Sequence, residues 1–512
     1  MSHDGLPGAV HRIMGIETEY GIAQPGSAHE NPMLLSSQIV NAYANTTAAS
    51  RRRTRWDYED ESPLRDARGY DLDRESADSS QLTDIDMGFA NVVLGNGARY
   101  YVDHAHPEYS GPECTNPRDV VKWDLAGDEI MRRSIAAAVD QFDPLAINIY
   151  KNNTDNKGAS YGTHENYIVS RGVPFGELVT ALTPFFITRQ IMVSAGRVGI
   201  GQSGTIAGFQ ISQRADFFEA EVGLETTLRR PIINTRDEPH ADAARFRRLH
   251  VIIGDANLSQ PSTYLKVGST SLVLALIEAG ALSDIPQFRY PVVATREVSH
   301  DLTMSNLYEM QDGRRMTALN VQEYFLESSR SLVARAEQID ESTADVIARW
   351  SQTLEGLLSD DPALTRTVEW RAKLDLLNSY RQRDHIDWGH PRLALIDLQW
   401  SDIRKEKGIF YKIEARGLHE VLIPESEVLE AVSNPPDDTR AYLRGRLVER
   451  FPENVVAASW DSLLLEEEVD APLVRVSLSD PYRATRGEVG DIFEKGLNAR
   501  ELLERLKISH RM

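Results

Sequence analysis

A single cysteine, Cys114, in 512 residues excludes an intrachain disulfide and any metal site built on thiolates, so a bound metal must be held by oxygen and imidazole. Such a chain fits a reducing compartment, and Cys114, in Gly-Pro-Glu-Cys, reads as a packed, unreactive thiol. No stretch approaches the roughly 18 apolar residues of a membrane helix, and the N-terminus lacks an apolar segment followed by a cleavage site. A cytoplasmic protein with no membrane partner is the expectation. Positive charge is in short supply: 56 Lys and Arg stand against 77 Asp and Glu, a net charge of -21, which argues against nucleic acid as the partner. Also missing are Gly-x-x-x-x-Gly-Lys-[Ser/Thr] and Gly-x-Ser-x-Gly. Gly199 to Gly204 does spell Gly-x-Gly-x-x-Gly, but Thr205 to Ile211 after it reads as strand, so the run is taken as a flexible loop. Nucleotide chemistry in this chain must therefore lie outside the P-loop and kinase patterns.

What is present reads as an ordinary globular protein, with 41% hydrophobic and 26% charged residues and length enough for more than one core. Strand patterns occur at Arg12 to Gly21, Gly97 to Asp103, Ile147 to Lys151 and Arg248 to Ile253. Helical spacing dominates from Pro117 to about Phe142, from Ser269 to about Gly280 and from about Leu319 to Leu376. The fold class expected is α+β, with helices packed on strands. Between Thr46 and Met87 about 40 polar residues form no routine connection, and the run Thr54-Arg-Trp-Asp-Tyr-Glu59 carries aromatics able to dock. The arginines of 51–55 are taken as a solvated face, and the segment shows no core-like apolar pattern. At Asn434-Pro-Pro-Asp-Asp438 the helical pattern breaks, which predicts domains at 1–433 and 434–512, the second with a strand at Ser459 to Leu465 and a helical C-terminus.

The chemistry is carried by side chains that share strand faces. Period two puts Arg99, Tyr101 and Asp103 on one face, with Glu108 just beyond the strand end. Glu17 and Glu19 likewise point to one side, and two such carboxylates repel unless a cation compensates, for which Mg²⁺ suits hard oxygen ligands. Arg248 and His250 form a further same-face pair, a planar fork for phosphate beside an imidazole able to ligate metal. His164 follows small residues in Tyr161-Gly-Thr-His-Glu-Asn-Tyr167. Each of these, taken singly, is also compatible with a structural role.

Met14 to Gly21, Asn96 to Asp103, His106 to Tyr109, Tyr161 to Tyr167, Ile232 to Asp242 and Arg247 to Asp255, taken together, resemble the Pup ligase and Pup deamidase family. The resemblance runs from about residue 12 to the C-terminus. It implies a large glutamine synthetase-like domain with a curved, mainly antiparallel sheet packed by helices, plus a small C-terminal α/β domain. It also implies that Glu17, Glu19 and Glu108 hold Mg²⁺, with His164 and His250 as candidate further ligands and Tyr101 at a metal-site position. Nucleotide contacts are implied for Arg99, Asn166, Arg248 and Trp460, and Asp103 matches the catalytic aspartate. ATP, or ADP plus phosphate, is the implied cofactor, Pup and pupylated proteins are the implied partners, and a monomer is expected.

The family contains a ligase, which joins the C-terminal glutamate of Pup to a lysine, and a hydrolase, which deamidates the C-terminal glutamine of Pup and cleaves the Pup-lysine isopeptide bond. The 46–87 insertion, Asp103-His-Ala-His106 and Gly196 to Gly201 resemble the hydrolase. Gly15-Ile-Glu-Thr-Glu-Tyr20 is closer to the ligase spelling, though both glutamates survive. Hydrolysis is the expectation; a ligase, or a non-catalytic nucleotide-binding regulator of Pup, are the alternatives.

Overall fold

The computed structural model describes residues 10–26, 31–50, 52–77, 81–82, 90–141, 146–155, 158–336, 338–468, 471–495, 500–502 and 504–505. Of the polar insertion, 51, 78–80 and 83–87 lie outside the described residues, as do 156–157 of the turn-rich run after Lys151 and the last residues of the expected C-terminal helix.

Apolar residues alternating with acidic ones build β1 (Met14–Glu19), an inner strand of a six-stranded sheet. Its partners are β2 (Asn91–Val93), β3 (Arg99–Asp103), β4 (His106–Ser110), β5 (Thr163–Ser170) and β6 (Phe246–Val251). The order is β6-β5-β1-β4-β3-β2, and every neighbouring pair is antiparallel. Alternation decides what each face carries: on β3, Tyr100 and Val102 are buried while Arg99, Tyr101 and Asp103 are half-buried opposite them. Register then aligns the strands into rows. Arg99 stands opposite Ser110, Ser110 opposite Glu17 and Glu17 opposite His164, while Tyr101 and Glu19 both stand opposite Glu108.

Helices cover the apolar face. α1 (Pro32–Ala44), capped by the Asn31 side chain, packs on β3 and β4; α2 (Pro117–Gln141) packs on β1; α4 (Gln260–Glu278) packs on β5 and on α3 (Phe175–Val193). Ile16, Tyr100, Val102, Tyr109 and Tyr167 join one core with residues of these helices, and each such side chain contributes about 1.5–3 kcal/mol by leaving water. α4 begins earlier than the expected Ser269. Its hydroxyls bond back into the helix, Ser269 to Leu265 O at 2.6 Å and Thr270 to Lys266 O at 2.7 Å, so a polar run is satisfied while buried.

Two further expectations change. The glycine-rich segment is a hairpin, Arg197–Ile200 against Ile206–Gln210, with Gly199, Gly201 and Gly204 at positive φ. And the insertion is partly structural. Arg55–Trp56 pairs in parallel with Val455–Ala458, at the edge of a four-stranded sheet completed by Ser462–Leu465 and Val474–Ser477. Trp56 is only 6% exposed, within a cluster that includes Leu443, Leu447 and Leu463. Arg52 pairs with Glu466 and Arg53 donates to Asn41 at 2.6 Å, so neither is merely solvated. A tryptophan on a two-residue strand offers no period to detect. The helix Ala441–Arg450 lies against the β2–β3 turn so closely that a β-carbon at Gly445 would stand 2.4 Å from Gly95 O.

Cys114 is buried, and that burial pushes its thiol pKa well up, so it is packed as expected. Among the described residues no helix is long and apolar enough to cross a membrane.

Candidate active site

The half-buried face of the sheet borders a cavity of about 440 Å³, lined by Glu17, Arg99, Tyr101, Asp103, Glu108, His164, Arg248 and His250, with Trp460 at its side. Asn166 lines a smaller, more apolar pocket of about 80 Å³ that shares Glu17, Arg248 and Trp460 with the first. The ligand atoms of Glu19, Asp103 and Glu108 all lie within 4.8 Å of one another, as do those of Glu17, His164 and His250. The sequence-derived residues thus gather around adjoining pockets, but the expected metal ligands fall into two clusters, Glu17 with His164 and His250, and Glu19 with Glu108 and Asp103.

Crowding sets their charge states. Burial, followed by the charges of Asp103, Glu17 and Glu19, pushes Glu108 well above the usual carboxylate range, although the Tyr101 hydroxyl donates to it at 2.6 Å and Ser110 Oγ at 3.2 Å. Burial also acts to raise Glu17, but the hydrogen bond and charge of His164, 3.0 Å away, hold it below that range with help from Arg248. Asp103 is likewise held low: His104, with its Nδ1 2.9 Å from Oδ2, outweighs burial. That hydrogen bond raises His104 to about 9. Burial and the Arg248 charge push His250 well below the usual imidazole value, leaving it neutral. Across the turn from Asp103, His106 stacks on Tyr161 at 4.3 Å and brings Nδ1 within 3.6 Å of Glu19 Oε2.

The donor set fits a hard divalent cation. Carboxylates this close disfavour one another's charge, and a bound cation removes that penalty. Gly162 is a second mark of fit, because a β-carbon there would stand 2.4 Å from His164 Nε2 and 3.1 Å from Glu19 Oε1. Only the absence of a side chain lets imidazole and carboxylate share that space.

The cationic wall is built differently. Arg248 donates from Nη1 to Asn166 Oδ1 at 2.8 Å and from Nε to Glu238 O at 2.7 Å. Arg99 lies between two rings, its Cζ 4.1 Å from the Trp56 centroid and 3.9 Å from that of Tyr101, and donates to Tyr58 Oη at 3.2 Å and Asn91 Oδ1 at 3.2 Å. Trp460 meets Trp56 edge-on at 5.3 Å and lies under Arg444 at 4.9 Å. Trp56, Tyr58 and Glu61 were not singled out from sequence as site residues, nor were Glu238 and His240, which share a 4.8 Å cluster with Glu61. The aromatics spaced through the insertion were the available signal, since they mark a segment able to dock.

An antiparallel sheet with helices on one face and carboxylates, imidazoles and arginines on the other is the framework of a glutamine synthetase-like catalytic fold. The chain belongs to the Pup-ligase family, matching the family described as Pup-ligase protein over residues 12–464. It is 53% identical over 499 residues to a protein named Depupylase from Acidothermus cellulolyticus, covering 97% of this chain and 99% of the relative. It is 50% identical over 499 residues to the Pup deamidase/depupylase of Mycolicibacterium smegmatis, covering 97% and 100%. Among solved structures, the complex between the prokaryotic ubiquitin-like protein Pup and its ligase PafA matches with a TM-score of 0.79 at 32% identity, over 96% of this chain and 93% of that one. The Pup ligase PafA in complex with ADP matches with a TM-score of 0.71 at 36% identity, over 79% and 90%.

Proposed function

We propose that this chain deamidates the C-terminal glutamine of Pup to glutamate and cleaves the isopeptide bond between Pup and substrate lysines, with ATP, or ADP plus phosphate, and Mg²⁺ as bound cofactors. The observation that carries the reading is the near-full-length match, at 53% and 50% identity, to relatives named for depupylation and Pup deamidation. In this reading Glu17, Glu19 and Glu108 hold the cation, with His164 and His250 as further ligands and Tyr101 bracing Glu108. Arg99, Arg248, Asn166 and Trp460 hold the nucleotide. When bound, the cation supplies positive charge that offsets the crowded acids and polarises phosphate oxygens.

Asp103 does the chemistry. Its low pKa keeps it a carboxylate at neutral pH, which suits two routes. As a base it takes a proton from water while the water oxygen bonds to the amide carbon; the C–N bond then breaks and the nitrogen leaves with a proton as ammonia or lysine amine. As a nucleophile its oxygen bonds to that carbon, the C–N bond breaks as the nitrogen takes a proton from water, and the hydroxide so formed opens the resulting anhydride. Arg99 and Arg248 stand on the same cavity and balance negative charge on the carbonyl oxygen. Pup and pupylated proteins are the partners, and we assign residues 434–512 to a small C-terminal domain and the working form to a cytoplasmic monomer.

A ligase is the second reading, favoured by the two solved structures described above, both of Pup ligases. Incubation with Pup ending in glutamine, ATP and Mg²⁺ separates them. Ammonia release is expected. Conjugation of glutamate-ended Pup to lysine, without ammonia release, would overturn the proposal in favour of ligation. Asp103→Asn is expected to lower hydrolysis by about 10³-fold while nucleotide binding, followed by fluorescence of a labelled analogue, survives; retained turnover would sink the role of Asp103.

A further inference from the structure

The hairpin that ends at Asp103 turns through only two residues, His104 and Ala105, because Asp103 pairs with His106 across it. Turns of this length call for positive φ at their first position, where glycine, asparagine or aspartate is the ordinary occupant. His104 stands there with φ 51°. A residue with a β-carbon tolerates that conformation only when its surroundings over-determine it, and such outliers gather at functional sites. Nothing in the core requires the ring, since 42% of the side chain is exposed, on the lining of the acid-rich cavity. Among the described residues its one hydrogen bond is from Nδ1 to Oδ2 of Asp103, at 2.9 Å.

An aspartate at a strand end has a broad, nearly two-fold second torsion. Left alone, it would present either oxygen, at many angles, to the substrate. We propose that His104 is a positioning residue for hydrolysis: the left-handed turn brings its ring onto one oxygen of Asp103, fixing the carboxylate and leaving the other oxygen for water or the scissile carbonyl. This rests on the hydrolase reading above. It applies to both routes open to Asp103, since each needs one oxygen aimed at the reacting atoms.

Three variants test it, assayed as full-length chains for ammonia release from glutamine-ended Pup with ATP and Mg²⁺, beside thermal unfolding. His104→Gly suits the turn and removes the bond; kcat is expected to fall about 10- to 30-fold with KM within about twofold and Tm unchanged or raised. His104→Ala is expected to lose kcat similarly, with a Tm below that of His104→Gly because the strain that glycine relieves remains. In His104→Asn, Nδ2 occupies the place of the imidazole Nδ1 and asparagine accepts left-handed φ. Most of kcat is expected to return. Wild-type kcat in His104→Gly, a rise in KM without a fall in kcat, or His104→Asn as slow as His104→Gly would each overturn the assignment while the hydrolase reading stands. A wild-type chain that releases no ammonia overturns both.

Discussion

At Gly162 one missing side chain sets how closely the acids and imidazoles can gather. A β-carbon there would fall 2.4 Å from His164 Nε2, too close for the ring to keep its place beside Glu17. Gly162→Ala is therefore expected to raise the Mg²⁺ concentration for half-maximal ammonia release by about 10-fold, as displaced ligand supports generally do, with little change in Tm. A Mg²⁺ titration of the variant against wild type checks this. The face shared by Arg99, Tyr101 and Asp103 was legible in the sequence, as was that of Glu17 and Glu19, because strand alternation is local. The hydrogen bond from Tyr101 to Glu108 was not legible, because it depends on the register between β3 and β4.

Among the elements, the insertion departs furthest from its sequence reading. Its polar composition predicts a segment removable without loss of stability. Instead Trp56 is buried in the C-terminal cluster and its indole Nε1 donates to Glu61 at 2.9 Å, while Arg99 lies over the ring with Cζ 4.1 Å from its centroid. Trp56→Ala is expected to cost about 3–5 kcal/mol in urea unfolding followed by far-UV circular dichroism, and to weaken nucleotide binding by freeing Arg99 to move. Unchanged stability would show that the strand Arg55–Trp56 adds nothing to the sheet. Two residues of strand cannot display a period, so neither the pairing nor the burial was readable in advance.

Across the whole molecule, Glu113, just past β4, ties the catalytic sheet to the helix Ala441–Arg450. Arg440 Nε donates to its Oε1 at 2.7 Å, and Arg444 bonds to both of its oxygens while also donating to Gly97 O at 2.8 Å. Burial acts to raise the Glu113 carboxyl, but the charges of Arg444 and Arg440 outweigh it and hold its pKa to about 2. Since the folded value lies below the unfolded one of roughly 4.3, the stabilisation is complete above that value and is lost as pH falls from there towards 2. Glu113→Gln, which leaves two buried arginines short of a counter-charge, is expected to cost roughly 3–5 kcal/mol at neutral pH. Stability curves measured against pH should show a shallower acid decline for the variant between about pH 4.3 and 2.

Local sequence was enough to mark the strands Met14–Glu19, Arg99–Asp103 and Phe246–Val251 and the side chains that share their faces, and enough to show the family resemblance, because alternation and motif spelling are carried by neighbouring residues. Folding in three dimensions was needed to add the strands Asn91–Val93 and Thr163–Ser170, to bring Glu19, Asp103 and Glu108 together, to set Trp56 of a polar insertion over Arg99, and to bend His104 back onto Asp103. Those contacts follow from strand register, a left-handed turn and close packing between distant segments, which residues adjacent in sequence do not encode.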